Sequence, residues 1–303
     1  MYIADMHCDS LSLVSGERGL ASPYNFSSTY GHLQFFAHFS HTGHGAPEVR
    51  RKNLIRAFDI YLSECERLGL SRVASGKNLF DAISEGQRSS IFTLEGGGGL
   101  FADSPELTTL ANAGLAVVGI AWDKNELSAS AWDEDDTGLT DEGRKMVERL
   151  TELGIIIDLS HLSDRAFYET FELSAMPHIA THSNFREVCA SKRNLTRDMA
   201  RRIAMRGGVI GMNLYPDFLR DGGGASTEDV IRHIDYGLEL LGDKYIGFGF
   251  DIDGTNRRYP LGIDESRSIH DQIMNVLLSR YSVATVERIC GLNVIDFLKN
   301  NLM

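Results

Sequence analysis

Six side chains of the kinds that bind divalent metals or move protons each close an apolar run. His7 and Asp9 follow Ile3-Ala4-Asp5-Met6, Glu95 follows Ser90-Ile91-Phe92-Thr93-Leu94, and His161 follows Gly154-Ile155-Ile156-Ile157-Asp158-Leu159-Ser160. His182 ends His178-Ile179-Ala180-Thr181, and Asp251 ends Tyr245-Ile246-Gly247-Phe248-Gly249-Phe250. On a strand, residues two apart project the same way, so His7 and Asp9 share a face while Cys8 points to the other. An imidazole and a carboxylate suit a borderline divalent ion such as zinc, and a strand holds their spacing with little entropy left to lose. Glu95 precedes four glycines, Gly96 to Gly99, whose bare backbone leaves room for a closely held ion; a charged strand end before a flexible turn is the alternative. Either histidine, His161 or His182, would by itself read as structural. Their recurrence at the same place in successive runs changes that reading.

These residues need a scaffold that brings six separate run ends together. Helical spacing of apolar residues predicts helices over 47–68, 79–84, 104–113, 140–153, 164–173, 196–206 and 227–241, between runs that read as strands. About eight strands alternating with helices predict an α/β fold, a (β/α)8 TIM-like barrel with the metal site at the C-terminal ends of the strands. An open doubly wound sheet is the alternative, but no Gly-x-Gly-x-x-Gly follows the first strand and polar residues end many strands rather than two. The chain, 1–303, reads as one domain. The loop after Asp9 carries Gly16, Gly19 and Pro23. His38, His41 and His44 are spaced like a metal cluster, yet the glycines among them predict a solvated loop. Asp133 to Asp136 lack the spaced ligands and central glycine of a calcium loop and read as a solvated turn.

Composition narrows the partners. A net charge of -12 argues against nucleic acid or an anionic membrane as partner, since both reward clustered Lys and Arg, and leaves small solutes. Cys8, Cys65, Cys189 and Cys290 lie far apart with no Cys-x-x-Cys pair, so neither a disulfide framework nor a thiolate zinc site is indicated. No apolar run reaches the roughly 20 residues that span a bilayer, and Met1-Tyr2 lead straight into the first strand without a targeting pattern. A soluble, cytoplasmic protein is the expectation.

Three histidines and three carboxylates exceed one tetrahedral ion and suit two sharing a carboxylate. His7 and Asp9 are assigned to the first ion, Glu95 bridges, and His161 and His182 hold the second. Two such ions lower the pKa of a shared water to about 7, which predicts hydrolysis of an acyl-type bond. Asp251 accepts the proton of that water or serves as a further ligand; the residue pattern leaves both open.

Together His7-Cys8-Asp9, Glu95-Gly96-Gly97, Asp158-Leu159-Ser160-His161, Thr181-His182-Ser183, Arg193-Asn194 and Gly249-Phe250-Asp251-Ile252-Asp253-Gly254 resemble, in order over most of the chain, the membrane dipeptidase family (renal dipeptidase, peptidase M19). The resemblance implies an amidohydrolase-like barrel with two zinc ions bridged by Glu95 that cleaves dipeptides, often with a D-residue at the C-terminal side. It also implies that Arg193 binds the substrate carboxylate and that Asp251 works in proton transfer or amine recognition. A two-pronged guanidinium contact suits a terminal carboxylate; a solvated arginine ahead of a helix capped by Thr196 is the alternative. Where the family has Thr-His-Asn, this chain has Ala121-Trp122-Asp123, so Trp122 replaces a histidine implied to polarise the scissile carbonyl, and an indole donates one hydrogen bond without carrying charge. Slow turnover of ordinary dipeptides or a different substrate follows. Arg197 stands where the family tends to be acidic, an added charge near the pocket. A related hydrolase of acylated amino acids or lactones, and a non-catalytic metal-binding barrel, are the competing readings. The faces Val276-Leu277 and Val294-Ile295-Phe297-Leu298 offer a homodimer contact, with burial inside the monomer the stronger expectation. Residues 256–268 are a candidate cover for the pocket.

Overall fold

The computed structural model describes residues 1–13, 20, 26–255 and 258–302. Gly16, Gly19, Pro23 and Asn256 lie outside the described residues. Among the described residues eight runs form strands: β1 (Tyr2–Cys8), β2 (Gly31–Phe39), β3 (Ser71–Arg72), β4 (Arg88–Glu95), β5 (Leu115–Gly119), β6 (Ile156–Asp158), β7 (Ile210–Met212) and β8 (Ile246–Phe248). Every strand pair is parallel, in the order β6-β5-β4-β2-β1-β8-β7, with β3 on β4. Helices connect them, which is how parallel neighbours must be joined. The run 178–183 is not a full strand. It contributes two isolated parallel bridges, Asp158↔Ile179 and Ala180↔Ile210, and so lies between β6 and β7.

Period-two alternation sorts the strand residues into two layers. Ala4, Met6, Leu33, Phe35, Ile91, Val117, Ile156 and Ile179 pack in one cluster, sealed by Val294, Ile295, Phe297 and Leu298 of the helix Asn293–Asn301. Ile3, Phe36, Phe92, Leu94, Val118 and Ile157 pack in the other, toward the covering helices. Continuing the first face of β4 through Ile91 and Thr93 brings Glu95 to its open end. In β1 the same alternation would send His7 outward with Ile3. The register of β1 on β2 shifts between Asp5 and Cys8, Met6 packs inside while Cys8 packs outside, and this bulge turns His7 toward Glu95.

The helices Pro47–Leu68, Asp164–Leu173 and Thr227–Leu241 have the predicted bounds. Pro47 opens the first, and Gly69, with φ 64°, closes it. Thr140, Ser163 and Thr196 cap their helices by accepting N–H bonds from Gly143, Ala166 and Met199. Leu277, Val294, Ile295, Phe297 and Leu298 are buried within the chain, so most of the apolar surface offered as a dimer contact is already covered. No helix among the described residues is long and apolar enough to cross a membrane.

Candidate metal centre

The ends of β1, β4, β6 and β8 and of the 178–183 segment meet at one mouth. There the structure brings together His7, Asp9, Glu95, His161, His182 and Asp251, none more than 9% exposed. Two of them leave ordinary backbone space to get there: His161 has φ 69° and Asp251 φ 58°. Such left-handed residues cost on the order of 1–3 kcal/mol each and persist where the surroundings over-determine them, often at functional sites.

Glu95 divides the cluster. Its Oε1 lies 2.8 Å from His161 Nε2 and 3.2 Å from His182 Nε2, and those two nitrogens are 2.9 Å apart. Its Oε2 lies 3.5 Å from His7 Nε2, which is in turn 3.7 Å from Asp9 Oδ2 and 3.9 Å from Asp251 Oδ1. Donor atoms around one tetrahedral zinc ion, bonded at about 2.0–2.2 Å, stand about 3.3 Å apart. The donors about Oε1, 2.8–3.2 Å apart, are tighter than that spacing, and those about Oε2, at 3.5–3.9 Å, are wider. The His7 and His182 rings stack at 3.7 Å across the junction.

The donor set is electrostatically incomplete from its own side chains. His7 Nε2 and Asp9 Oδ1 are buried without a hydrogen-bond partner. Burial, reinforced by Glu95, pushes the Asp9 carboxyl up to about 6, and burial pushes Asp251 up to about 7 with Asp9 and Glu95 adding to the rise against His7. Burial acts to raise Glu95 as well, but His7, His161 and His182 hold it well below the usual carboxylate range. Burial and Arg193 lower His161 to about 4, and burial with His7 and Arg193 takes His182 well below its ordinary value. Burial alone would lower His7, yet Glu95 and Asp9 outweigh it and raise the imidazole. Crowded carboxylates facing imidazole lone pairs suit divalent cations. Space is reserved beside them too: a Cβ on Gly254 would stand 2.0 Å from Asp251 Oδ1 and 2.2 Å from Asp9 Oδ2.

Several residues that hold this geometry were not visible as site residues in the sequence. Thr181 Oγ1 donates to Asp158 Oδ2 at 2.5 Å and lies 2.7 Å from His182 Nδ1. With its proton committed to Asp158, the hydroxyl oxygen accepts from Nδ1–H, which leaves the His182 Nε2 lone pair facing Glu95. Asp158 Oδ1 also accepts from the backbone N–H groups of Ser160 and Thr181. Asp5 Oδ1 accepts from the N–H of His7 and of Phe250, tying β1 to β8, while its Oδ2 faces His270 Nε2 at 2.7 Å. Asn213 Nδ2 donates to Asp251 Oδ2 at 3.0 Å.

Arg193 is not solvated. It is 3% exposed, donates to His182 O and Ser183 Oγ, has a buried Nε without a partner, and burial lowers it to about 10. It lies behind Phe218, with Cζ 5.8 Å from that ring, and does not itself line the cavity above the ligands. That cavity, ≈470 Å³, is floored by Asp9, Glu95, His161 and Asp251 and walled by aromatic residues including Trp122. The solvated-loop reading of His41 is also corrected. His41 lines the cavity, because Asp123 accepts from Thr42 N and Oγ1 and pins that turn across the mouth. Arg197, in contrast, is exposed at a helix start with Nε on Tyr236 Oη, away from the cavity. The segment after residue 257 is anchored at the rim, where Arg258 pairs with Asp217.

The profile of the membrane dipeptidase family, peptidase family M19, matches residues 28–301. The chain belongs to this family. An uncharacterised protein in the pqqA 5' region of Klebsiella pneumoniae is 30% identical over 218 residues, 68% of this chain and 80% of that protein. Dipeptidase 3 of Mus musculus is 35% identical over 144 residues, 48% of this chain but 29% of the mouse protein, so the match spans under a third of that relative. A metallo peptidase from Rhodobacter sphaeroides, solved with a phosphinate mimic of the dipeptide L-Ala-D-Ala, superposes with a TM-score of 0.83 over 99% of both chains at 24% identity, a likeness of fold. As a member of the membrane dipeptidase family, the chain is of metallopeptidase type, and its candidate ligand groups, His7-Glu95-His182 and His7-Asp9-Asp251, share His7.

Proposed function

We propose that the chain hydrolyses the amide bond of dipeptides with two divalent metal ions, zinc by expectation, one held by His7 and Asp9, the other by His161 and His182, with Glu95 between them. The observation that supports this reading is the division of Glu95: one carboxylate oxygen faces His161 and His182, and the other faces His7. Ions bound there would supply Lewis acidity and an acidified water. The chain's own residues do the rest. Asp251, oriented by Asn213, is placed to take the proton of the attacking water and deliver it to the leaving amine, and its proximity to His7 and Asp9 equally allows a ligand role. Arg193, a buried cation with no carboxylate among its hydrogen-bond partners, is suited to the free carboxylate of the substrate once Phe218 yields.

Three finer readings accompany this one. The bridges of residues 179 and 180 to β6 and β7 support a closed eight-stranded barrel. The Rhodobacter sphaeroides ligand supports a D-residue at the C-terminal side. Four buried free cysteines support a cytoplasmic setting. The test is elemental analysis of purified protein beside a panel of L-L and L-D dipeptides, acyl-amino acids and lactones. Two tightly held ions per chain and dipeptide turnover are expected; fewer ions with no turnover of any member would favour a non-catalytic barrel.

A further inference from the structure

We infer that the cavity selects substrates with a large apolar or aromatic side chain on at least one of the two residues; this rests on the dipeptidase reading and sharpens it. Two aromatic walls stand on either side of the ligand floor. Phe39 and Trp122 meet edge to face at 4.8 Å on one side, and Trp132, Phe218 and Tyr215 form the other, with successive ring centroids 5.8 and 4.7 Å apart. His161 joins them, 6.0 Å from Trp122 and 6.2 Å from Trp132. A scissile bond held over His161 therefore has rings on both flanks.

The cavity has room for a ring-sized side chain. An apolar cavity of about 150 Å³ accommodates one benzene ring, and this one measures ≈470 Å³. Trp132 leaves 47% of its surface in water at the rim, a large apolar area that a bulky side chain would cover. The wall is built in advance, because the Asp123 contacts to Thr42 and the Gly43 N–H bond to His41 Nδ1 fix the turn beside Trp122. Rigid rings recognise an apolar group at low entropic cost.

The chain has two tryptophans, Trp122 and Trp132, and both line the cavity, so its intrinsic fluorescence reads occupancy without turnover. The test pairs steady-state kinetics on zinc-loaded protein, with X-Ala and Ala-X dipeptides where X is Ala, Leu, Phe, Glu or Lys, with fluorescence titration of metal-free protein by the same peptides. Expected are a kcat/KM at least tenfold higher for X = Phe or Leu than for Ala-Ala at one position or both, an emission change at lower concentration for the Phe peptides, and a Phe-to-Ala selectivity ratio cut at least fivefold in Trp132→Ala or Trp122→Ala. Equal kcat/KM for Ala-Ala and the Phe peptides, or preference for Glu or Lys, would overturn the inference. Hydrolysis of no peptide would sink the dipeptidase reading instead, and the titration would still decide: tighter Phe peptides support an aromatic-selective cavity, and equal binding refutes it.

Discussion

Replacing Thr181 by valine removes one hydroxyl and little volume from a residue that is 1% exposed. Its two shortest contacts go with it, the 2.5 Å bond to Asp158 Oδ2 and the 2.7 Å contact with His182 Nδ1. His182 then carries a buried N–H without an acceptor, a loss of about 1–3 kcal/mol, and the ring gains by moving its proton to Nε2. An Nε2 bearing a proton is not a ligand, so ion binding must first return it. Loss of a partner of this kind typically weakens metal binding about 10–100-fold, or about 1.4–2.7 kcal/mol. The weakening should fall on the ion nearest His161 and His182 and spare the one nearest His7 and Asp9, so a competition titration with a chromophoric chelator should resolve two affinities, one shifted. Thr181→Ser keeps the hydroxyl and should restore the shifted value. Two unchanged affinities in a folded Thr181→Val protein would refute the orientation argument.

Other consequences follow from the same geometry. Arg193→Ala should chiefly raise KM for substrates with a free carboxylate, read by comparing a dipeptide with its C-terminal amide; an equal KM change for both would remove Arg193 from carboxylate binding. Gly254→Ala puts a Cβ within 2.2 Å of both Asp9 Oδ2 and Asp251 Oδ1, so metal affinity near His7 should fall at least tenfold by the same titration while the melting temperature of metal-free protein changes little. His233, fully buried, accepts from Phe185 N and faces Leu219 O, and burial lowers it to about 4. Its unfolded value is about 6.5, so the unfolded chain binds more protons between these values; stability is full above about pH 6.5 and falls toward pH 4, by about 3 kcal/mol at this site. Urea midpoints for wild type and His233→Gln should converge as pH drops from 7 to 4.5; parallel curves would contradict the assignment.

The candidate ligands were legible because each stands at the end of an apolar run, a pattern that survives without knowledge of the partner strands. What the local pattern could not carry was long range. The bulge that turns His7 inward depends on register with β2, and Asp5 meets His270 across a sequence separation of 265. His41 looked solvated because Gly43 and Gly45 follow it; Asp123, 81 residues away from Thr42, holds the turn in place. A solvated Arg193 stayed open as the alternative because a helix cap follows it, whereas its burial depends on Ser183 and Phe218 from other segments. β3, two residues long, has too few positions to show a period, and the 178–183 run reads as a strand although it makes only isolated bridges.

The central claim is two ions flanking one carboxylate. Anomalous diffraction at the zinc edge, from crystals of zinc-loaded protein, tests it directly: two peaks are expected, one between Glu95 Oε1 and His161/His182 and one between Glu95 Oε2 and His7, with both lost in Glu95→Ala crystals that keep the fold. A single peak at saturating zinc, or peaks away from Glu95, would contradict it.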